Sequence, residues 1–295
     1  MNNLQLWFNG EFLDSDNAQC NLMDHGLHYG TGVFEGIRCY ATDHGPAVFR
    51  LDDHLSRMSE GARTIEMDFD APQMREAILE LLARNKMDEA YIRPIAYFGG
   101  GYLGLDVHPL KVNAAVATLP WSSHLGDAAE MKGTTMSVSK VKRNPASAMP
   151  PLKLCGGYVN SILAKLSATR KGFEEALFVD DDGRVCEATG ENVFFVKNGD
   201  VFAVEHPDAL AGITRNSVIE MSNAKTVPAY LEDLYNADEV FVTGTSAEVV
   251  GVSAIDDHEF GVGPVTRSLA QAYQDVVHGR DSTKTKWLTY VKGRY

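Results

Sequence analysis

Pro150-Pro151-Leu152-Lys153-Leu154-Cys155-Gly156-Gly157 sets one lysine among apolar neighbours and closes on two glycines. Most other lysines of the chain stand beside polar residues, where a solvated ammonium carries no penalty. Here desolvation disfavours the charged form, lowers the amine's pKa, and yields the kind of nucleophile that forms imines with carbonyl compounds. Lys111, in Pro109-Leu110-Lys111-Val112, meets the same criterion, and local composition does not separate the two.

Upstream of this stretch, Trp121 to Lys132 is polar and without a clear period, which marks a linker. Strand signals precede it at Val112 to Leu119 and at Ala90 to Tyr97. Further back, Met74, Ala77, Ile78, Leu81 and Leu82 recur at helical spacing from Ala71 onward. Another helix is expected after Arg50, capped by Asp52 or Asp53, with Leu55, Met58 and Ala62 on its apolar stripe. The chain opens with β-rich runs on either side of Asn9-Gly10, a strong hairpin signal. Downstream of the lysine, Val159, Ile162, Leu163 and Leu166 form a helical stripe ended by Gly172. Asp182-Gly183 and Asn198-Gly199 mark two more hairpins, residues 216 to 226 read as helix, and Glu239 to Thr243 as strand. No internal repeat is present. The expectation is α+β in two domains: a small one over 1–120, a linker at 121–132, and a large one over 133–295.

The chain has 295 residues, 44% of them hydrophobic, which suits two packed domains or one unusually large one. Its net charge of −13, without a clustered Lys/Arg stripe, removes the footprint that nucleic acid or anionic lipid would need. Met1 to Asn9 resembles neither a secretory signal nor an Arg-rich presequence, and no run approaches the roughly 20 apolar residues of a membrane span. A cytoplasmic protein acting on small molecules is expected. Cys20, Cys39, Cys155 and Cys186 show no CxxC or metal-ligand spacing and read as reduced thiols.

Several segments invite chemistry. Ala211-Gly212-Ile213-Thr214-Arg215-Asn216 opens a helix whose first amides suit a phosphate, or is simply a capped helix. Thr243-Gly244-Thr245-Ser246-Ala247 has small residues that leave main-chain amides open to an anion, or is a plain turn. Glu187, among small and apolar neighbours, needs a partner; that partner is either a protonated ring nitrogen or a structural cation. His28 to Tyr40, rich in glycine and aromatics, suits a pocket-lining loop or core packing. Asp180-Asp181-Asp182-Gly183 lacks the later glutamate of a calcium loop, so a hairpin turn accounts for it better.

Taken together, His28 to Tyr40, Tyr91-Ile92-Arg93-Pro94, Lys153 to Asn160, Glu187 to Phe194, Gly212 to Arg215 and Phe241 to Glu248 stand in the order found in the branched-chain aminotransferases. The chain resembles these class IV, fold-type IV pyridoxal-phosphate enzymes over nearly its whole length. The resemblance implies two α+β domains with the active site between them, the larger binding pyridoxal 5′-phosphate, and no metal. It implies that Lys153 holds the cofactor covalently and moves the proton between substrate Cα and cofactor. Tyr158 would hydrogen-bond the cofactor's phenolic oxygen, and Glu187 its pyridine nitrogen. Arg57, Ile213, Thr214 and Thr245 would hold the phosphate, with Leu210 packed against the ring.

For substrate, the resemblance places Tyr91 and the Thr245 and Ser246 amides at the α-carboxylate. Phe34, Tyr29 and Trp121 would line the side-chain pocket, and Arg93 would receive the distal carboxylate of glutamate. An apolar pocket with one reachable cation serves leucine, isoleucine or valine in one half-reaction and glutamate in the other. The family also implies a homodimer or hexamer, with Tyr29 and the loop around Leu105 reaching into a neighbouring subunit's site. Three departures stand out: His124 where many members have tyrosine, Ser246 where alanine is common, and a short stretch from Asn223 to Leu231. Val33 to Arg38 and Tyr91 to Arg93 favour the branched-chain type over a D-amino-acid aminotransferase or an aminodeoxychorismate lyase. The joint presence of Lys153, Tyr158, Glu187 and Arg57 speaks against a noncatalytic cofactor carrier.

Overall fold

Asn9 and Gly10 both take positive φ, 48° and 97°, and close a tight turn between strands β1 (Gln5–Phe8) and β2 (Glu11–Asp14), as the sequence predicts. The computed structural model describes residues 4–121 and 132–291. Its contacts divide the chain into two compact units. One comprises Met1–Ser122, Leu152–Gly156 and Asp275–Tyr295; the other comprises Ser123–Pro151 and Gly157–Gln274. The lysine-bearing pentapeptide therefore packs with the first unit although its sequence neighbours belong to the second. Most of the predicted linker, with His124, lies outside the described residues.

In the first unit, α1 (His25–Tyr29) is followed by β3 (Gly32–Phe34), β4 (Ile37–Tyr40) and β5 (Ala47–Phe49), then α2 (Leu51–Thr64), α3 (Ala71–Arg84), β6 (Ala90–Phe98) and β7 (Val112–Pro120). The helix after Arg50 forms, but neither Asp52 nor Asp53 caps it. Arg50 itself occupies the N-cap in the left-handed region, and the two aspartates sit in the first turn, where the helix dipole favours anions. Leu51, His54, Leu55, Met58, Gly61 and Ala62 form the buried face of α2. Asp70 caps α3 by accepting from the Gln73 amide, and Met74, Ala77, Ile78, Leu81 and Leu82 are buried as the spacing predicts. β6 and β7 pair from Ala90↔Pro120 to Phe98↔Val112. Along β6, Ala90, Ile92, Pro94, Ala96 and Phe98 face the core, so Tyr91, Arg93, Ile95 and Tyr97 share the opposite face. The sheet is eight-stranded, and after the second unit the chain supplies its edge strand, β17 (Leu288–Tyr290), antiparallel to β5.

The second unit holds β8 (Thr134–Val138), α4 (Tyr158–Arg170), β9 (Glu175–Val179), β10 (Val185–Ala188), β11 (Asn192–Lys197), β12 (Asp200–Val204), α5 (Ile213–Ser222), β13 (Lys225–Val227), α6 (Leu231–Tyr235), β14 (Glu239–Gly244), β15 (Glu248–Ile255) and β16 (His258–Glu259); α7 (Pro264–Val277) follows. Its sheet runs β10-β9-β8-β15-β14-β11-β12-β13, with β16 on β15. Both predicted hairpins are present, β9–β10 and β11–β12. α5 starts three residues before the predicted helix and ends at Ser222. Asn223 then takes φ 53°, and Lys225 to Val227 turn into a strand parallel to β12. On α4 the small residues Ser161, Ala164 and Ala168 are buried, while Val159, Ile162, Leu163 and Leu166 are 45–58% exposed. The stripe read from sequence is helical, but it faces outward.

Candidate active site

Lys153 is held by main-chain pairing. The Phe34 amide donates to the Lys153 carbonyl at 3.2 Å, and Val33 bridges Leu154 antiparallel, so the strand carrying Phe34 fixes the lysine's backbone. Gly30 permits this approach, because a Cβ there would collide with the Gly156 backbone and its φ is +66°. The half-buried Lys153 places its Nζ 5.1 Å from the Phe34 ring centroid. Lys111, the rival, is exposed.

Around Phe34 the first unit assembles a wall. The Arg93 guanidinium lies 4.9 Å from the Phe34 ring and 5.2 Å from the Tyr91 ring, and it donates to the Tyr91 hydroxyl at 2.8 Å. Tyr91 and Arg93 meet because they are alternate residues on one face of β6. Trp121 lies against Tyr91 at 5.1 Å. Gly36 leaves room for the Tyr91 hydroxyl, which a Cβ would strike. Tyr29 stands apart, half-exposed at the end of α1, its hydroxyl donating to the Leu103 carbonyl at 2.8 Å. Leu105, in the same loop, is 82% exposed.

Arg57 lies in the same unit, one turn after His54 on α2. Its Nε donates to Glu35 Oε1 at 2.7 Å and its Nη2 to Oε2 at 2.9 Å, while His54 Nδ1 lies 2.9 Å from Oε2. Burial alone would raise the Glu35 pKa, but the Arg57 and His54 neighbours outweigh it and hold the carboxyl at about 2. Burial lowers the His54 pKa against the pull of Glu35, so His54 is neutral and donates.

In the second unit, Glu187 on β10 is buried and held from three sides. Arg143 Nε donates to Oε1 at 2.7 Å, and the Leu210 amide and Asn192 Nδ2 donate to Oε2 at 3.0 and 3.3 Å. Asn160 on α4 accepts from Arg143 and from the Asn144 amide, which aims the arginine. Tyr158 is the half-buried first residue of α4. Ile213 and Thr214 are buried in the first turn of α5, whose Gly212 N-cap supplies no side chain. α5 packs on β14, where Thr243 Oγ1 is buried without a hydrogen-bond partner among the described residues. Thr245 is half-buried and Ser246 exposed in the turn between β14 and β15. The half-buried Leu210 offers its amide to Glu187, next to this helix start.

Taken unit by unit, the donors present suit the parts of pyridoxal phosphate. An uncapped helix start and an orphaned buried hydroxyl suit a phosphate, a fixed buried carboxylate suits a protonated ring nitrogen, and a half-buried lysine among apolar groups suits an aldehyde. Sequence reasoning missed Glu35 and His54 behind Arg57, and Arg143 and Asn192 behind Glu187. The one signal for Glu35 was a charge inside the apolar, glycine-bearing run Val33 to Ile37.

Residues 32–255 match the model for amino-transferase class IV. The branched-chain-amino-acid aminotransferase of Pseudomonas aeruginosa is 35% identical over 97% of either chain. The structure superposes on a T.th. branched-chain amino acid aminotransferase with pyridoxamine 5′-phosphate at TM-score 0.95 and 42% identity, covering 98% of this chain and 99% of that one. Complexes of that enzyme with N-(5′-phosphopyridoxyl)-L-glutamate and with 4-methylvaleric acid match at 0.93, at the same identity and coverage. The chain belongs to the class IV amino-transferase family and has its fold-type IV architecture.

Proposed function

We propose that this chain is a pyridoxal-phosphate-dependent branched-chain-amino-acid transaminase, moving an amino group between L-leucine, L-isoleucine or L-valine and 2-oxoglutarate. The observation that carries this reading is the wall of Phe34, Tyr91 and Trp121 with the Arg93 guanidinium laid across it. Apolar rings take a branched side chain, and the Arg93 guanidinium takes a distal carboxylate. The relatives support it, since one complex of the T.th. enzyme carries a glutamate adduct and another a branched acid.

When bound, pyridoxal phosphate supplies an electron-withdrawing ring that acidifies the substrate's α-hydrogen. Lys153 then anchors the cofactor and moves the proton at Cα, its backbone fixed by the Phe34 strand. Glu187, ion-paired with Arg143, would hold the protonated ring nitrogen, and Tyr158 would donate to the phenolic oxygen. Arg57, the Ile213 and Thr214 amides and Thr245 hold the phosphate, and Leu210 packs on the ring. Tyr91 and the Thr245 and Ser246 amides hold the α-carboxylate, and Tyr29 lines the pocket together with Phe34 and Trp121.

The working form is a homodimer or hexamer. The exposed apolar stripe on α4 and the exposed Leu105 support this, because monomers seldom leave such surface uncovered. The cellular site is the cytoplasm, supported by four cysteines that form no disulfide; no described helix is long and apolar enough to cross a membrane. Adding L-leucine should bleach the cofactor's visible absorbance, and 2-oxoglutarate should restore it with production of glutamate. A response confined to D-alanine or to aminodeoxychorismate would change the assigned substrate. A protein inert to all donors with pyridoxal phosphate present would overturn the reading.

A further inference from the structure

Glu35 and Arg57 form an ion pair that the proposed chemistry has not used, and it is out of water: their side chains are 0% and 9% exposed. Glu35 is pinned at its backbone by the hydrogen bond its amide donates to the Pro94 carbonyl at 3.0 Å and at its side chain by His54. Arg57 is gripped through both Nε and Nη2, a two-point contact that sets the plane of the guanidinium as well as its position. His54 and Arg57 are three residues apart on α2 and reach the same carboxylate from one helix face. Glu35 follows Phe34, whose amide binds the Lys153 carbonyl, so one short segment joins the lysine's backbone to the arginine's head.

We propose that Glu35 is a positioning residue for cofactor phosphate, acting through Arg57. This rests on the reading that Arg57 holds the phosphate. A carboxylate beside a phosphate-binding arginine has two opposed effects. It offsets part of the cation's charge, which weakens anion binding, and it fixes the guanidinium in one orientation, which strengthens it. The burial and the two-point grip favour the second, because an arginine with a long flexible stem loses most when its orientation is not set in advance. His54 Nδ1, 2.9 Å from Oε2, adds a further contact to the same carboxylate from the same helix.

The test compares binding of pyridoxal phosphate with that of pyridoxal, which lacks the phosphate, to full-length protein stripped of cofactor, followed by visible circular dichroism. The ratio of the two affinities isolates the phosphate contact, whereas general damage to the fold weakens both ligands alike. In Glu35→Gln the preference for the phosphorylated ligand should fall by about tenfold or more. In Glu35→Asp, which keeps the buried charge but shortens the reach, it should fall by less. An unchanged or increased preference in Glu35→Gln overturns the proposal. Should that variant not fold, an unchanged preference in Glu35→Asp overturns it equally. Arg57→Gln separates the two readings. If it leaves the preference intact, the phosphate role of Arg57 fails; if it lowers the preference while both Glu35 variants do not, only the positioning role of Glu35 fails.

Discussion

In the proposed reading, chemistry falls to Lys153 and specificity to Arg93. Lys153→Ala should abolish turnover with every donor, because no other described residue combines an amine, an apolar setting and a backbone fixed by the Phe34 strand; Lys111→Ala should leave the rate of L-leucine transamination within about twofold of normal. Arg93→Gln should lower kcat/KM for 2-oxoglutarate by roughly 10- to 100-fold, the scale of one charge-assisted contact, and that for L-leucine by far less. Equal losses for both substrates would remove Arg93 from its role. Gly36→Ala should displace Tyr91 and raise KM for both, since the added methyl meets the tyrosine's hydroxyl. Lys153 and Glu187 were legible in the sequence because each is a charge set among apolar or small neighbours within a few residues. Glu35 and Arg143 were not, because their meaning lies in partners 22 and 44 residues distant. Local composition carries the cost of burying a charge but not the identity of the group that compensates it.

At the scale of elements, period and turn chemistry carried most of the fold: the hairpins at Asn9-Gly10, Asp182-Gly183 and Asn198-Gly199 and the buried face of α3 follow from them. Where expectation and structure part, the competing influence is local. Left-handed Arg50 displaces the aspartate caps of α2, and left-handed Asn223 stops α5 before the predicted end. The α4 stripe shows that an apolar face identifies a helix without telling which neighbour covers it. Two carboxylates, the buried Glu35 and the half-buried Glu191, give opposite pH signatures. Folded, Glu35 titrates at about 2 against an ordinary 4.5, so its stabilisation is complete above about pH 4.5 and is lost as pH falls toward 2. The gap is worth about 3 kcal/mol, and chemical denaturation of Glu35→Gln across that window should show a correspondingly flatter acid limb. Glu191 is raised to about 7, first by burial and then by the Glu175 carboxylate, against the pull of Lys165. It therefore costs stability as pH rises from about 4.5 through 7. Glu191→Gln should stabilise the protein by about 1–2 kcal/mol at pH 8 and change little at pH 5. Stabilisation of the same size at pH 5 would mean that the charge is not the cause.

For the whole molecule, the exposed residues of α4 and the loop bearing Leu105 define what subunit association should cover. Ile162→Glu combined with Leu166→Glu should shift the native mass by light scattering from a multiple of 32.3 kDa to that value. The unsubstituted protein should itself be larger than one chain; a monomer of full activity would remove the assembly from the account. Legibility at this scale was partial. The α+β class follows from patterning, but the return of Leu152–Gly156 and Asp275–Tyr295 to the first unit is a matter of packing that no short window of sequence contains. That return also sets a timetable for biosynthesis. Phe49 leaves the ribosome long before its strand partner Leu288 is made. At typical elongation rates the gap is roughly 10–50 s. Throughout that interval the nascent chain carries β5 as an open edge, a ready template for pairing with another nascent copy on the same messenger, so the dependence on chaperones should last until β17 has been made.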